Sequence, residues 1–170
     1  MITMHRAISA ALLLVFASVM AHAEDADDDL AALAKALPEA TVSLEQGLKA
    51  AASDGKPISA KFEVEKGALQ LSVYTIKGNA FDEVIVDHKS GAIKKVEKIA
   101  DTEDLEDAEG QAEAMARAKM TLDTAIENAT KANPGYKAVS IIPLLAAVVP
   151  MAGITLMKGT EVKKVNLQLD

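Results

Sequence analysis

The chain has 170 residues, no cysteine, no tryptophan and a formal net charge of -7, with 25 acidic against 18 basic side chains. A surplus of negative charge is repelled by phosphate backbones, which argues against nucleic-acid binding, and without cysteine there is neither a disulfide framework nor a site for a lipoprotein anchor. Beyond residue 23 the only aromatic residues are Phe62, Tyr74, Phe81 and Tyr136, so stability must come from an aliphatic core.

Residues 1–23 read as an export signal. Arg6 gives a short basic start, Ala7 to Met20 is an apolar run, and Ala21-His22-Ala23 is a small-x-small site placing cleavage between Ala23 and Glu24. The run is short for a retained membrane anchor. The expectation is an exported protein, periplasmic or secreted. An acidic, Ala-rich segment follows over residues 24–40.

Residues 41–100 predict a first folded unit. Ser43 is a good N-cap, Gln46 three residues later completes a capping box, and Glu45 suits the positive end of a helix. Leu44, Leu48 and Ala51 keep helical spacing until Asp54-Gly55 ends the helix. The period then changes to two. Ile58, Ala60, Phe62 and Val64 alternate with polar residues, Lys66-Gly67 turns, Leu69, Leu71 and Val73 alternate again, and Lys77-Gly78-Asn79 turns. Val84 and Val86 mark a third strand, His88 to Gly91 a turn, and Ile93 to Val96 a short fourth strand. This predicts an antiparallel meander with one wet face.

Residues 101–119, rich in acids at the start and ending in Arg117 and Lys119, predict a helical linker. Its acids lack the alternating ligands around a glycine turn that a calcium loop needs. Residues 120–170 then repeat the first unit. Thr121-Leu122-Asp123 matches Ser43-Leu44-Glu45, Ile126 matches Leu48, Ala129 matches Ala51, and Asn133-Pro134-Gly135 ends the helix. Lys158-Gly159 matches Lys77-Gly78, with Leu167, Leu169 and Asp170 set against Val84, Val86 and Asp87. On this alignment the second unit is short by one strand. The expected class is α+β: two tandem repeats, each a short helix followed by an antiparallel β-meander, packed either as one sheet or as two.

The inventory of reactive groups is poor. His88 is the one histidine beyond residue 23, and a lone histidine without cysteine cannot build an ordinary zinc site. Beside Lys89 and Ser90 it reads as an exposed loop residue rather than part of a triad. Gly67, Gly78 and Gly91 are isolated turn glycines, not a phosphate loop. Met115, Met120, Met151 and Met157 are scattered at core-like positions. No catalytic residue, cofactor site or metal site is expected.

The order "capped helix, hairpin, strand ending in Val-x-Val-Asp-x-x-x-Gly" resembles the PepSY domain family. It is carried by Ser43 to Ala52 and Val84 to Ile93 in the first copy, and by Thr121 to Ala129, Pro134 to Ser140 and Ile154 to Gly159 in the second. The resemblance implies a non-enzymatic envelope or secreted protein without an obligatory cofactor, related to propeptides of thermolysin-type metallopeptidases, that binds and inhibits or regulates a peptidase. The alternative is a structural or sensory adaptor for an envelope protein or a small ligand.

One stretch departs from that family's polar turn. Ile141 to Met157 carries no charge. It could be a transmembrane helix, although Pro143, Pro150 and Gly153 interrupt it. It could be a hairpin buried in the core, with the prolines at strand ends or an edge. Or its tip could be an exposed apolar contact for a partner or a membrane surface, with Leu144, Leu145, Val148 and Val149 as the candidate residues.

Overall fold

The structure, a computed structural model, describes residues 29–170. The expected signal and its Ala23–Glu24 cleavage site lie outside the described residues. In chain order the elements are α1 (residues 29–36, continued by a 3-10 turn Leu37–Glu39), α2 (Leu44–Ala51), β1 (Lys56–Glu65), β2 (Ala68–Lys77), β3 (Ala80–Val86) and β4 (Ile93–Lys98), then α3 (Thr102–Arg117), α4 (Leu122–Ala132), β5 (Lys137–Ala146), β6 (Val149–Lys158) and β7 (Glu161–Gln168). The protein is α+β, and the seven strands among the described residues form one antiparallel sheet in the order β4-β3-β2-β1-β5-β6-β7.

The helices begin where a side chain can satisfy orphan backbone donors. Ser43 Oγ accepts the Gln46 N–H at 3.3 Å while Gln46 Oε1 accepts the Ser43 N–H at 2.8 Å, a complete capping box. Thr121 Oγ1 accepts the Thr124 N–H at 3.2 Å in α4. Leu44, Leu48 and Ala51, with Leu122, Ile126 and Ala129, then face the sheet and are buried.

Strand alternation sorts the sheet into two faces. Ala60, Phe62, Leu71, Val73, Val84, Val86, Ile141 and Ile154 form the buried face under α2, which lies over β1–β3, and α4, which lies over β5–β7. Burying one such Leu, Ile or Val stabilises by about 1.5–3 kcal/mol. Leu33 of α1 joins the same core. Ser59, Lys61, Tyr74, Ser140 and Ile142 lie on the other face. There α3 packs across β5, β6 and β1, and Ser59 Oγ donates to Gln111 Oε1 at 2.5 Å. The linker helix is thus acidic outside and apolar beneath, burying Ala108, Ala114 and Met115.

The centre of the sheet is a short seam. β1 and β5 pair only through Ala60 with Ile141 and Lys61 with Ser140. Each strand bulges just before it, at Ile58 and at Val139. Bulges bend and twist a strand, which is why pairing ends so soon. Pro143 follows from this: it pairs with Ala152 of β6 on one side and has already left β1 on the other, so its missing N–H costs no ladder bond.

Two carbonyls fasten the approaches to α2 and α4. His88 O accepts the N–H groups of Thr41 and Val42 at 3.0 and 3.1 Å, and Leu169 O accepts those of Lys119 and Met120 at 2.7 and 2.8 Å.

Two expectations need correction. Val165 and Leu167, not Leu167 and Leu169, hold the places of Val84 and Val86: Val165 stands opposite Ile154 as Val84 does opposite Val73, and Leu167 opposite Ala152 as Val86 does opposite Leu71. The turn sets the register. Gly78 and Gly159 both take a positive φ, and counting from them gives this pairing. His88 is also less exposed than a loop position suggested. Its side chain is half-buried, and Nε2 is buried without a hydrogen-bond partner among the described residues. Finally, Ile141 to Met157 is the β5–β6 hairpin, and among the described residues no helix is long and apolar enough to cross a membrane.

Candidate functional site

Among the described residues the β5–β6 hairpin exposes three large apolar side chains, Ile142, Leu144 and Val148, while Ile93 and Val96 of β4 and Val162 of β7 are exposed elsewhere. Leu144 pairs with Met151, Leu145 with Pro150 and Ala146 with Val149, leaving Ala147-Val148 as a two-residue turn. Alternation decides what is exposed. Ile142 and Leu144, two residues apart on the α3 face, are 43% and 44% exposed, and Val148 at the tip is 70% exposed. Leu145 and Val149 are half-buried, and Pro143 and Pro150 are buried. Of the four residues singled out in the sequence, the structure brings Leu144 and Val148 to the surface as the outer part of one ridge with Ile142. Ala147 holds φ 59° there, a left-handed conformation costly for a residue with a Cβ.

Beside the ridge lies a polar hollow of about 140 Å³ between α3 and the sheet, lined by Ser59, Lys61, Tyr74, Asp104, Asp107, Gln111 and Ile142 among others. Lys61 Nζ is 2.6 Å from Glu63 Oε2 and 5.8 Å from the centre of the Tyr74 ring. Ser72 Oγ donates to Glu63 Oε1 at 2.9 Å. Burial pushes the Tyr74 hydroxyl up to about 12. Burial works to lower Lys61, but the Glu63 hydrogen bond and the Tyr74 and Glu63 charges outweigh it, and the ammonium is held above its usual range. Neither group changes charge near neutral pH, so the cluster acts as a fixed electrostatic patch.

A larger groove, about 730 Å³, runs between α2 and α4 and is closed by the α3–α4 junction. Its apolar lining includes Leu48, Ala52, Pro57, Met115, Ala118, Met120 and Leu122; its charged lining is Glu45, Lys49, Lys56, Lys119, Asp123 and Glu127. The Asp123 carboxyl is held above the ordinary carboxylate range by burial and then by the charges of Glu45 and Glu127, with Lys49 opposing. Sequence reasoning missed this groove because its walls come from two stretches far apart in the chain, Ser43 to Pro57 and Met115 to Glu127. The available signal was the matched placing of Glu45 and Asp123 one residue after each helix start, which sets like charges together once the helices pack side by side. Among the described residues no three His, Asp or Glu side chains converge as a metal ion requires.

Comparison of the chain with protein-family models, with curated proteins and with solved structures finds no match.

Proposed function

We propose that the chain is an exported, non-enzymatic binding protein of the bacterial envelope, built of two PepSY-like repeats, that docks on a peptidase and occludes its cleft. The observation that carries the docking is the apolar ridge of Ile142, Leu144 and Val148 on the β5–β6 hairpin, standing out from the sheet where burial would be expected. A hairpin ridge backed by the sheet can enter a cleft without much loss of conformational freedom.

Several features support the repeat. The bulges at Ile58 and Val139 occupy equivalent places in β1 and β5. The strand boundaries of β1 and β2 recur at one constant chain spacing in β5 and β6. The His88 and Leu169 carbonyls grip equivalent N–H pairs. The helices differ, with 8 residues in α2 and 11 in α4, and the difference is about one turn.

The test is titration of a thermolysin-type peptidase with the mature chain, Glu24 to Asp170, against the same protein heat-unfolded. Dose-dependent inhibition by the folded form alone is expected. It should be lost in Leu144→Asp/Val148→Asp with the circular dichroism spectrum unchanged. Absence of inhibition while the added protein survives intact rejects the reading. The groove between α2 and α4 favours the second reading, an adaptor that holds a small ligand or an envelope partner; a pull-down from envelope extract separates the two.

A further inference from the structure

We propose that two copies of the chain join through β7, edge to edge and antiparallel, with Val165 standing opposite the same residue of the second copy. This concerns a different part of the sheet from the hairpin ridge and does not rest on peptidase docking.

The two edges of the sheet are finished differently. β4 carries the devices that keep an edge from pairing. It has six residues, three of them lysines (Lys94, Lys95 and Lys98), and its pairing with β3 shifts register between Ile85 and Val86. β7 closes the other side with eight residues in unbroken register, from Glu161 opposite Lys158 to Gln168 opposite Met151, with neither bulge nor proline. Among the described residues no strand pairs with its outer side. In the first meander the equivalent place, beside β3, is filled by β4. A straight strand with a row of unpaired backbone donors and acceptors is a template for one more strand.

Charge points to a second copy as that strand's source and sets its register. The chain is acidic, but β7 carries Glu161, Lys163 and Lys164, so the negative excess that keeps copies apart elsewhere is absent from this edge. Val165 and Leu167 lie on the face of α2 and α4, with Ile154 and Ala152; Lys164 and Asn166 lie on the face of α3, with Thr155 and Gly153. Opposed residues of an antiparallel pair share a face. Two cores on one side of a continuous sheet therefore need like faces opposite each other. Two registers meet this with the longest overlap. One pairs residues 161–167 about Lys164 and sets that lysine against its own copy, a destabilising like-charge pair. The other pairs residues 162–168 about Val165, with Lys164 opposite Asn166 and Lys163 opposite Leu167. Lys163 Nζ already donates to Asn133 Oδ1, which turns its charge towards the end of α4. The half-buried Val165 and Leu167 gain apolar cover from the second copy. The joint is a closed two-fold contact, and it sets both ridges of Ile142 and Leu144 on the same side of the joined sheet.

The test exploits a chain without cysteine. Opposed residues in an antiparallel pair have Cα atoms about 4.5–5.5 Å apart, within the span a disulfide bridges. With oxidised glutathione, Val165→Cys in the mature chain should give a disulfide-linked dimer. Lys164→Cys and Asn166→Cys should each stay single, and should link to one another when mixed. Sedimentation equilibrium of the unaltered chain should give the mass of two chains. Asn166→Lys, which sets the introduced lysine against Lys164, should shift it to the mass of one, and Asn166→Glu should hold the two-chain mass to lower concentration. Asn166 is exposed, and an unchanged circular dichroism spectrum checks that each variant folds. The inference is overturned if the unaltered chain has the mass of one chain at every concentration, if Lys164→Cys links to itself as readily as Val165→Cys, or if Asn166→Lys leaves the two-chain mass intact.

Discussion

Gly47 of α2 lies directly against Leu71 of β2: a Cβ at position 47 would meet Leu71 Cδ2 at 2.7 Å and Cγ at 3.1 Å. Leu71 is fully buried, with Phe62 and Val86 as its cross-strand neighbours, and has nowhere to swing. Glycine inside a helix costs about 1 kcal/mol relative to alanine, and here close packing is what it permits. Gly47→Ala should destabilise the protein by about 1–2 kcal/mol, overpacking outweighing the gain in helix propensity. Urea unfolding measures it, and a stabilised variant would show that α2 has room to lift.

The two helix starts differ in how fully they are capped. Ser43→Ala should cost about 1 kcal/mol. Adding Gln46→Ala to it should cost less than the sum of the two changes, because each side chain satisfies the other's backbone donor. Thr121→Ala should cost a similar amount with no such coupling to position 124 beyond the lost hydroxyl contact, at 2.9 Å. A double-mutant cycle in urea reads the coupling; full additivity at Ser43 and Gln46 would count against the box.

The hairpin tip stores backbone strain. Ala147 takes φ 59° in a two-residue turn, where glycine is the usual occupant. Ala147→Gly should stabilise by about 1 kcal/mol. A lower unfolding midpoint would mean that the alanine methyl makes a contact worth more than the strain it causes.

Acid should loosen the turn after β3. Asp87 Oδ1 accepts the N–H groups of Lys89 and Ser90 at 2.9 and 2.7 Å, and Oδ2 lies 3.1 Å from Lys94 Nζ. The Ser90 N–H, then Lys94, then the Lys89 N–H hold this carboxyl well below the usual range. Its folded-state affinity for a proton is depressed, so its stabilisation is complete above the unfolded-state value of about 4 and is lost as pH falls below it. The difference in thermal midpoint between the natural protein and Asp87→Asn should be constant near neutrality and shrink below about pH 4. A difference that holds level down to acid unfolding would remove the carboxylate from the explanation.

The local structure was legible because its signals are local. Ser43 with Gln46 and the Lys-Gly turns specify their own hydrogen bonds, and the two-residue period of Ile58 to Val64 specifies a strand. What was hidden depends on residues far apart. Nothing in Ala60-Lys61 or Ser140-Ile141 announces that these pairs join the meanders into one sheet. The apolar underside of α3 is a few alanines and Met115 within an acidic run. At the hairpin, the uncharged stretch was visible, but only the turn at Ala147-Val148 decides that Leu144 points out while Leu145 faces Pro150.

The two-residue seam between β1 and β5 has a consequence for how the chain assembles and opens. Within β1–β4 and within β5–β7 each strand pairs with its sequence neighbour, so each meander can zip up from its own turns with short loop closures. Joining them is a long-range event with few ladder bonds to reward it. The amides at the seam should therefore exchange with solvent deuterium sooner than those of the long β1–β2 and β5–β6 ladders. Under pulling force the sheet should part along this line, leaving two smaller bodies tethered by α3.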